Sequence, residues 1–322
     1  MTDPTKINKV FISTHPFGEI SAEPLTILQA ENIAYCLNPY GRKMTTSELA
    51  SEIKEYDALI AGTEKIDAQV FENAQDLKLI SRVGIGLDGI DFEQAKKHGV
   101  RVAFTPDAPT VAVAELCVSL ILDCLRQVSA TDRHLRQGRW HRHMGELLYG
   151  KTVGIIGIGR IGKNLAHLLQ PFNVKIIGND ILPDIAFGRM MEIEWADKET
   201  LLKCCDVISL NVPLTLDTYH LMSETALKQM KPTAILINTA RGEVVDETAL
   251  VKALKQGTIA CAAIDVFENE PYNGPLCDIE NVVLTCHMGA STQRSRYMME
   301  IEATQEVIRF HKGNKMANEV LF

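Results

Sequence analysis

The chain has 322 residues, 46% of them hydrophobic and 23% charged. That balance excludes a disordered or collagen-like chain, and the length suits two domains with separate cores. Lys and Arg number 33 against 41 Asp and Glu, a formal charge of -8, and so diffuse a deficit argues against a nucleic-acid-binding surface as the main function. The longest apolar stretch, 111–125, is interrupted by Glu115 and Asp123, whereas a membrane span needs about 20 mostly apolar residues. The opening MTDPTKINKV has no apolar segment of signal-peptide length. Eight cysteines include no CxxC pair, and several sit in or beside apolar runs, as Cys117 does in VAELCVSLIL. Buried, reduced thiols of a cytoplasmic protein are therefore expected, not a disulfide framework.

Strand-like runs at Val10–Ser13, Ile33–Leu37, Ala58–Ala61 and Leu79–Val83 alternate with helical patterns at Pro24–Glu31, Thr46–Tyr56 and Asp67–Ala74. A second series of strands follows at Thr152–Ile156, Val174–Gly178, Val207–Leu210, Ala234–Asn238, Ala262–Ile264 and Val282–Leu284. Short strands separated by helix-length segments indicate βαβ units and parallel sheets. Two series predict an α/β chain of two doubly wound domains. Between them Pro109–Leu135 has apolar positions at helical spacing and is followed by Gly138, Trp140 and a basic stretch at Arg139–His143. It reads as the connection into the second domain. Thr292–His311 is helix-like and outlasts the second sheet, so it is expected to return to the first domain and make that domain discontinuous.

The strongest local signal is Val153-Gly154-Ile155-Ile156-Gly157-Ile158-Gly159-Arg160-Ile161-Gly162, a strand running into a G-x-G-x-x-G turn and then a helix through Asn164–Leu169. Gly157 permits the tight turn, Gly159 lets a pyrophosphate approach the backbone, and Gly162 lets helix and strand pack closely. The N–H groups and dipole at the helix start favour phosphate. The next strand ends at Asp180, 18 positions beyond Gly162. A carboxylate there accepts from the ribose hydroxyls and repels a 2′-phosphate, which favours NAD over NADP.

Three later strands are followed by reactive side chains: Arg241 in NTARGEVVD, Asp265 and Glu270 in AAIDVFENEP, and His287 in VVLTCHMGAS. Ligands of open α/β sheets bind outside the carboxyl ends of strands, so these loops are expected to converge on one crevice. Oxidation of a secondary alcohol needs a base for the hydroxyl proton and a cation for the substrate anion. His287 exchanges protons near neutral pH. Glu270 orients its imidazole, and Arg241 offers a planar charged fork. Each alone has a plainer explanation: a buried histidine, a helix-end arginine, a surface turn before Pro271. Three together behind a dinucleotide fingerprint favour chemistry.

With these motifs in hand, the sequence resembles the D-isomer-specific 2-hydroxyacid dehydrogenases, its motifs standing nearest the phosphoglycerate-type members. The resemblance rests on SRVGIGLDGID at 81–91, VAEL at 113–116, GIIGIGRIGKNLA at 154–166, NVPLT at 211–215, NTARGEVVDE at 238–247, AAIDVFENEP at 262–271 and HMGAST at 287–292. It implies a Rossmann NAD-binding domain, 107–291, inserted in a discontinuous flavodoxin-like substrate domain, 1–106 and 292–322. It implies Arg241, Glu270 and His287 as the catalytic set. Arg160 and Ile161 would contact the pyrophosphate, and Val212 and Pro213 would line the adenine-to-ribose path. Thr239, Ala240 and Arg241 would approach the nicotinamide ribose. Asp265 would bond the carboxamide, and His287 with Gly289 and Ala290 would border the nicotinamide. Backbone N–H groups of Gly84, Ile85 and Gly86 would hold the substrate carboxylate, as an anion-binding nest does. No metal is implied.

Three positions depart from the family pattern. Pro109 stands where many relatives have Asn and lacks a donor. Ala61-Gly62-Thr63 stands where phosphoglycerate-type members often have Arg, and Val212 replaces a common Thr. Arg82 and Arg142, by contrast, resemble basic positions that hold a phosphate in those members, although isolated arginines are more often solvated surface. The expected reaction is NAD-dependent hydride transfer at C2 of a D-2-hydroxy acid, with 3-phosphoglycerate first. The alternatives are a glyoxylate, hydroxypyruvate or lactate-type reductase, and an NADH-sensing binding protein of the corepressor type. A regulatory domain of the kind some phosphoglycerate-type members carry is not expected. A cytoplasmic homodimer is expected, with Pro109–His143 as the contact and Trp140 as its anchor.

Overall fold

A computed structural model describes residues 5–322. The chain falls into two compact units, one made of the chain up to Pro109 together with Ala290–Phe322, the other of Thr110–Gly289.

The first unit opens with β1 (Lys9–Ile12), α1 (Glu23–Ala30), β2 (Ala34–Leu37), α2 (Thr46–Glu52), β3 (Ala58–Ala61) and α3 (Ala68–Asn73), and continues with β4 (Leu79–Arg82), α4 (Phe92–Lys97) and β5 (Arg101–Phe104). Its strands pair in parallel in the order β2-β1-β3-β4-β5, the flavodoxin-like order. Strands β3 and β4 are buried at every position, which is why they read as unbroken apolar runs. Sequence reading does not single out α4 and β5. They are short, and β5 is an edge strand whose first residue, Arg101, is only partly buried.

The second unit holds α5 (Thr110–Arg126), α6 (Val128–Arg136), β6 (Thr152–Ile156), α7 (Arg160–Leu169), β7 (Lys175–Asn179), α8 (Ile185–Met190) and β8 (Glu194–Trp195). It continues through α9 (Lys198–Cys204), β9 (Val207–Leu210), α10 (Glu224–Gln229), β10 (Ile235–Asn238), α11 (Glu247–Gln256), β11 (Cys261–Ile264) and β12 (Val282–Leu284). The sheet runs β12-β11-β10-β9-β6-β7-β8, the doubly wound order in which the chain reverses between β6 and β9. Apolar clusters cover both faces: Leu201, Leu227, Leu250 and Leu254 contribute to one, Cys117, Ile121, Leu165 and Leu169 to the other. The last helix, α12 (Gln293–His311), packs on β3, β4, β5 and α1 of the first unit, where the Ser81 hydroxyl donates to Ala303 O at 2.8 Å.

Three expectations change. The helical pattern 109–135 is two helices, because Gln127 takes φ +52 and the Asp123 carboxylate accepts from the N–H of Ser129 at 2.8 Å and from its hydroxyl. Capping by Asp123 starts a new helix where periodicity alone continues the old one. The helix expected to Tyr56 ends at Glu52 and passes into a 3₁₀ turn, Ile53–Glu55. Cysteine burial is divided: Cys117, Cys124 and Cys205 are buried, whereas Cys36, Cys204, Cys277 and Cys286 are exposed. No helix is long and apolar enough to cross a membrane among the described residues.

Candidate active site

The turn after β6 has the shape its glycines require. Gly157 stands at φ +89, and a Cβ there would meet Asn211 O at 2.6 Å and Val212 Cγ1 at 2.9 Å. A Cβ on Gly162 would lie 2.2 Å from Gly157 O, so the first turn of α7 packs directly on the loop. Gly159 is different: a Cβ there would meet nothing within 4 Å. Its bareness serves open space at the start of α7, where the helix dipole and N–H groups face an incoming anion. Arg160 is exposed and Ile161 half-buried in that first turn.

Asp180 follows β7 and is tied to this loop. Its carboxylate accepts from Ile158 N at 2.7 Å and Leu182 N at 2.9 Å. The acid is thus held beside the glycine turn, with its hydrogen-bonding capacity only partly used. Val212 forms a wall of Gly157, while Pro213 accepts a hydrogen bond from Thr218 Oγ1 at 2.6 Å. A glycine turn with one open glycine, a helix start and an acid at the next strand end fit a dinucleotide.

The reactive side chains lie on the same carboxyl edge. His287 Nδ1 stands 2.9 Å from Glu270 Oε2 and 3.1 Å from Oε1. This leaves Nε2 as the ring nitrogen able to meet a substrate. His287 has φ +52, an uncommon conformation for a residue with a Cβ. Asp265 enforces it. That side chain, 1% exposed, accepts from Thr285 Oγ1 at 2.6 Å, Met288 N at 2.9 Å and Gly289 N at 2.9 Å. In turn His287 N donates to Asp265 O at 2.7 Å. Asp265, expected by resemblance to bond the carboxamide, is in this structure the clamp of the histidine loop.

The Arg241 loop presses against the segment that carries Glu270, since a Cβ on Gly242 would lie 1.9 Å from the Phe267 carbonyl carbon. Arg241 is half-buried and its Nη1 donates to Ala240 O at 2.6 Å. Beside it the Thr239 hydroxyl turns inward to Cys117 Sγ at 3.0 Å, and burial pushes that thiol up to about 11. Thr239 and Ala240 are both nearly buried, and Ala240 N donates to Asn238 Oδ1 at 3.1 Å. Gly289 closes this unit, and Ala290 belongs to the other.

In the first unit the loop after β4 holds Gly84 at φ +138. Its N–H donates to Thr105 Oγ1 at 2.7 Å, so of the three N–H groups expected to hold a carboxylate it is already engaged. Those of Ile85 and Gly86 have no protein acceptor among the described residues. Arg82 is not solvated surface: it is 8% exposed, donates to Val83 O, and lies beneath Gly84. Arg142 is exposed and belongs to the other unit. Pro109 is buried immediately before α5.

A cavity of about 750 Å³ also opens in the second unit, lined by Lys151, Asp206, Thr233, Ala260 and Asn281. These precede their strands, so the cavity lies at the amino edge, opposite the groups described above, and size alone does not make it the site.

The family model for the NAD-binding domain of D-isomer-specific 2-hydroxyacid dehydrogenases matches residues 118–289. The chain belongs to this family. A glyoxylate reductase of Pyrococcus horikoshii is 44% identical over 82% of this chain and 83% of its own length. A D-3-phosphoglycerate dehydrogenase of Archaeoglobus fulgidus is 35% identical over 86% of this chain but 54% of its own. The crystal structure of the TT0316 protein of Thermus thermophilus superposes with a TM-score of 0.89 at 32% identity, over 97% of this chain and all of that one. The dehydrogenase is thus an oxidoreductase acting on CH–OH donors, with NAD(H) as cofactor, and its two parallel-sheet units are the family's Rossmann and substrate domains.

Proposed function

We propose that this dehydrogenase reduces a short 2-oxo acid, glyoxylate or hydroxypyruvate, to the 2-hydroxy acid. The observation that carries the reading is the 44% identity to glyoxylate reductases over 82% of the chain. It displaces the expectation of 3-phosphoglycerate, whose dehydrogenase is the more distant relative. The loop after β3 agrees, because Ala61, Gly62 and Thr63 offer no cation for a phosphate.

When bound, NADH supplies the hydride. The protein's own part is proton transfer and charge placement. His287, held through Nδ1 by Glu270, gives a proton from Nε2 to the carbonyl oxygen as it becomes a hydroxyl, and takes it back in the reverse direction. Arg241 provides the cation for the 2-oxo acid. In the first unit, the N–H groups of Ile85 and Gly86 suit a carboxylate. Gly157, Gly159 and Gly162 with Arg160 receive the pyrophosphate, and Asp180 the adenosine ribose.

The test is NADH and NADPH consumption by purified protein with glyoxylate, hydroxypyruvate, pyruvate and 3-phosphohydroxypyruvate. The first two are expected to be turned over most efficiently, and with NADH. Preference for the phosphate ester would refute the substrate reading. No consumption of any 2-oxo acid would favour an NADH-sensing protein.

The reading includes a cytoplasmic homodimer. Four exposed free cysteines suit a reducing compartment. Trp140, Met144, Leu147 and Tyr149 are 84%, 88%, 68% and 66% exposed, a run of apolar side chains that a second copy would cover. Sedimentation at the single-chain mass would refute the dimer.

A further inference from the structure

The loop after β3 carries a buried acid that the reading above leaves without a role. Glu64 is 3% exposed. Its Oε1 accepts from Gly62 N at 2.9 Å and from the Ser13 hydroxyl. Its Oε2 lies over Gly62, 2.7 Å from where a Cβ would project, and a Cβ there would also be 3.0 Å from Thr14 Oγ1. The missing side chain at Gly62 makes the room the carboxylate occupies. Its hydrogen-bond partners are a hydroxyl and an N–H, and among the described residues it forms no ion pair. A carboxylate in a buried setting is screened less by solvent and salt than one at the surface.

Its position follows from the sheet. Strands β3 and β4 are parallel neighbours with Ala61 opposite Arg82, so Glu64 and Gly84–Gly86 leave the sheet at the same edge. Their loops are laced together. Ile66 N donates to Gly89 O at 2.8 Å, Asp91 N donates to Ile66 O at 3.0 Å, and a Cβ on Gly89 would lie 3.0 Å from Glu64 O. The other charged groups at this edge include the exposed Lys65 and Asp88 on the same two loops, Arg82 beneath Gly84 and the Arg296–Glu300 pair. Arg296 donates to Glu300 Oε1 at 2.6 Å and Thr14 Oγ1 at 3.0 Å, while Glu300 also accepts from Gly18 N at 2.9 Å. That pair is neutral in sum.

We propose that Glu64 is a specificity-determining residue that disfavours a second anionic group on the substrate, so that 2-oxo acids with a short or uncharged tail are taken in preference to phosphorylated ones. The proposal rests on the 2-oxo acid reading. A carboxylate attached to C2 is held by N–H groups on the β4 loop; any longer tail lies among the neighbouring strand ends, where the Glu64 carboxylate repels a phosphate. Selection here works by placing a repulsive element, not by adding contacts to the preferred substrate.

Hydroxypyruvate and 3-phosphohydroxypyruvate form the matched pair, differing only in the phosphate. Glu64→Gln keeps the acceptor for Gly62 N and Ser13 and removes the charge. The ratio of kcat/KM for the ester to that for hydroxypyruvate is expected to rise about tenfold or more, through KM for the ester, with hydroxypyruvate kinetics and Tm unchanged. A purely structural glutamate would shift both substrates together, so an unchanged ratio overturns the proposal. Glu64→Asp, which keeps the charge, is expected to leave the ratio near the parental value. A ratio raised as much by Glu64→Asp as by Glu64→Gln overturns it. If the unaltered enzyme reduces neither acid, the 2-oxo acid reading itself falls and takes this inference with it; if it reduces hydroxypyruvate, the two failures are separate.

Discussion

Two glycines of one loop should respond oppositely to the same methyl group. At Gly162 the new Cβ would stand 2.2 Å from Gly157 O, against an ordinary contact of about 3.4 Å or more, so two backbone segments must separate by about 1 Å. Overpacking of this kind costs about 1–3 kcal/mol. For a unit of this size that is a fall in Tm of roughly 3–10 °C. At Gly159 the Cβ would meet nothing within 4 Å, and φ -80 with ψ -150 suits alanine. Losing glycine at a helix N-cap costs less than about 1 kcal/mol. Gly159→Ala should therefore melt within about 3 °C of the parent, yet bind NADH at least about tenfold more weakly, because the methyl occupies the approach of the pyrophosphate. Thermal melting and fluorescence titration with NADH measure the two quantities on the same samples. Equal Tm losses, or a Gly159→Ala protein with parental NADH affinity, would refute the assignment of open space at Gly159 to the cofactor.

Further outcomes follow from the same geometry. His287→Ala should lower kcat by about 10²–10⁴ while NADH affinity stays within a few-fold; retained turnover would remove His287 from proton transfer. Asp180→Ala should lower the ratio of catalytic efficiencies with NAD and NADP by about tenfold or more, and an unaltered ratio would contradict its place at the ribose. The pair of Arg101 with Glu319, at 2.5 and 2.6 Å, holds Glu319 below the usual carboxylate range. Its contribution, about 1 kcal/mol for a partly exposed pair, is present above the unfolded-state pKa and disappears as pH falls through the lowered one. Glu319→Gln should thus destabilise the protein at neutral pH and converge with the parent in acid, as paired melts at several pH values would show.

Local chemistry accounts for how much of the fold is legible in the chain. The strand ALIA of β3 and the strand ILIN of β10 are buried on both faces, so composition alone marks them. Glycine spacing marks the turn before α7, because only glycine accepts φ +89 at Gly157 and a Cβ position 2.2 Å from a carbonyl at Gly162. The edge strands β5 and β8 carry no such signal, since half-solvated short segments resemble loops. The division of α5 from α6 is equally hidden. It depends on Asp123 reaching Ser129, and a capping interaction inside an apolar period cannot be told from an exposed polar face.

The site divides in the same way. His287 and Glu270 are 17 residues apart in the chain, and their residue types announce proton chemistry before any coordinates. Family resemblance implies a cofactor contact for Asp265, and only the folded loop shows that its oxygens also accept from Thr285, Met288 and Gly289. Gly84 reads as a carboxylate donor, and the folded chain gives its N–H to Thr105, 21 residues away. Glu64 draws no notice at all, since one acid among 41 Asp and Glu is ordinary until it is found buried beside a glycine. Sequence determines what is set locally: periodicity, glycine turns and the kinds of reactive group. Tertiary structure decides which of a group's hydrogen bonds are already taken, because the partners that fill them come from strands and loops distant in the chain.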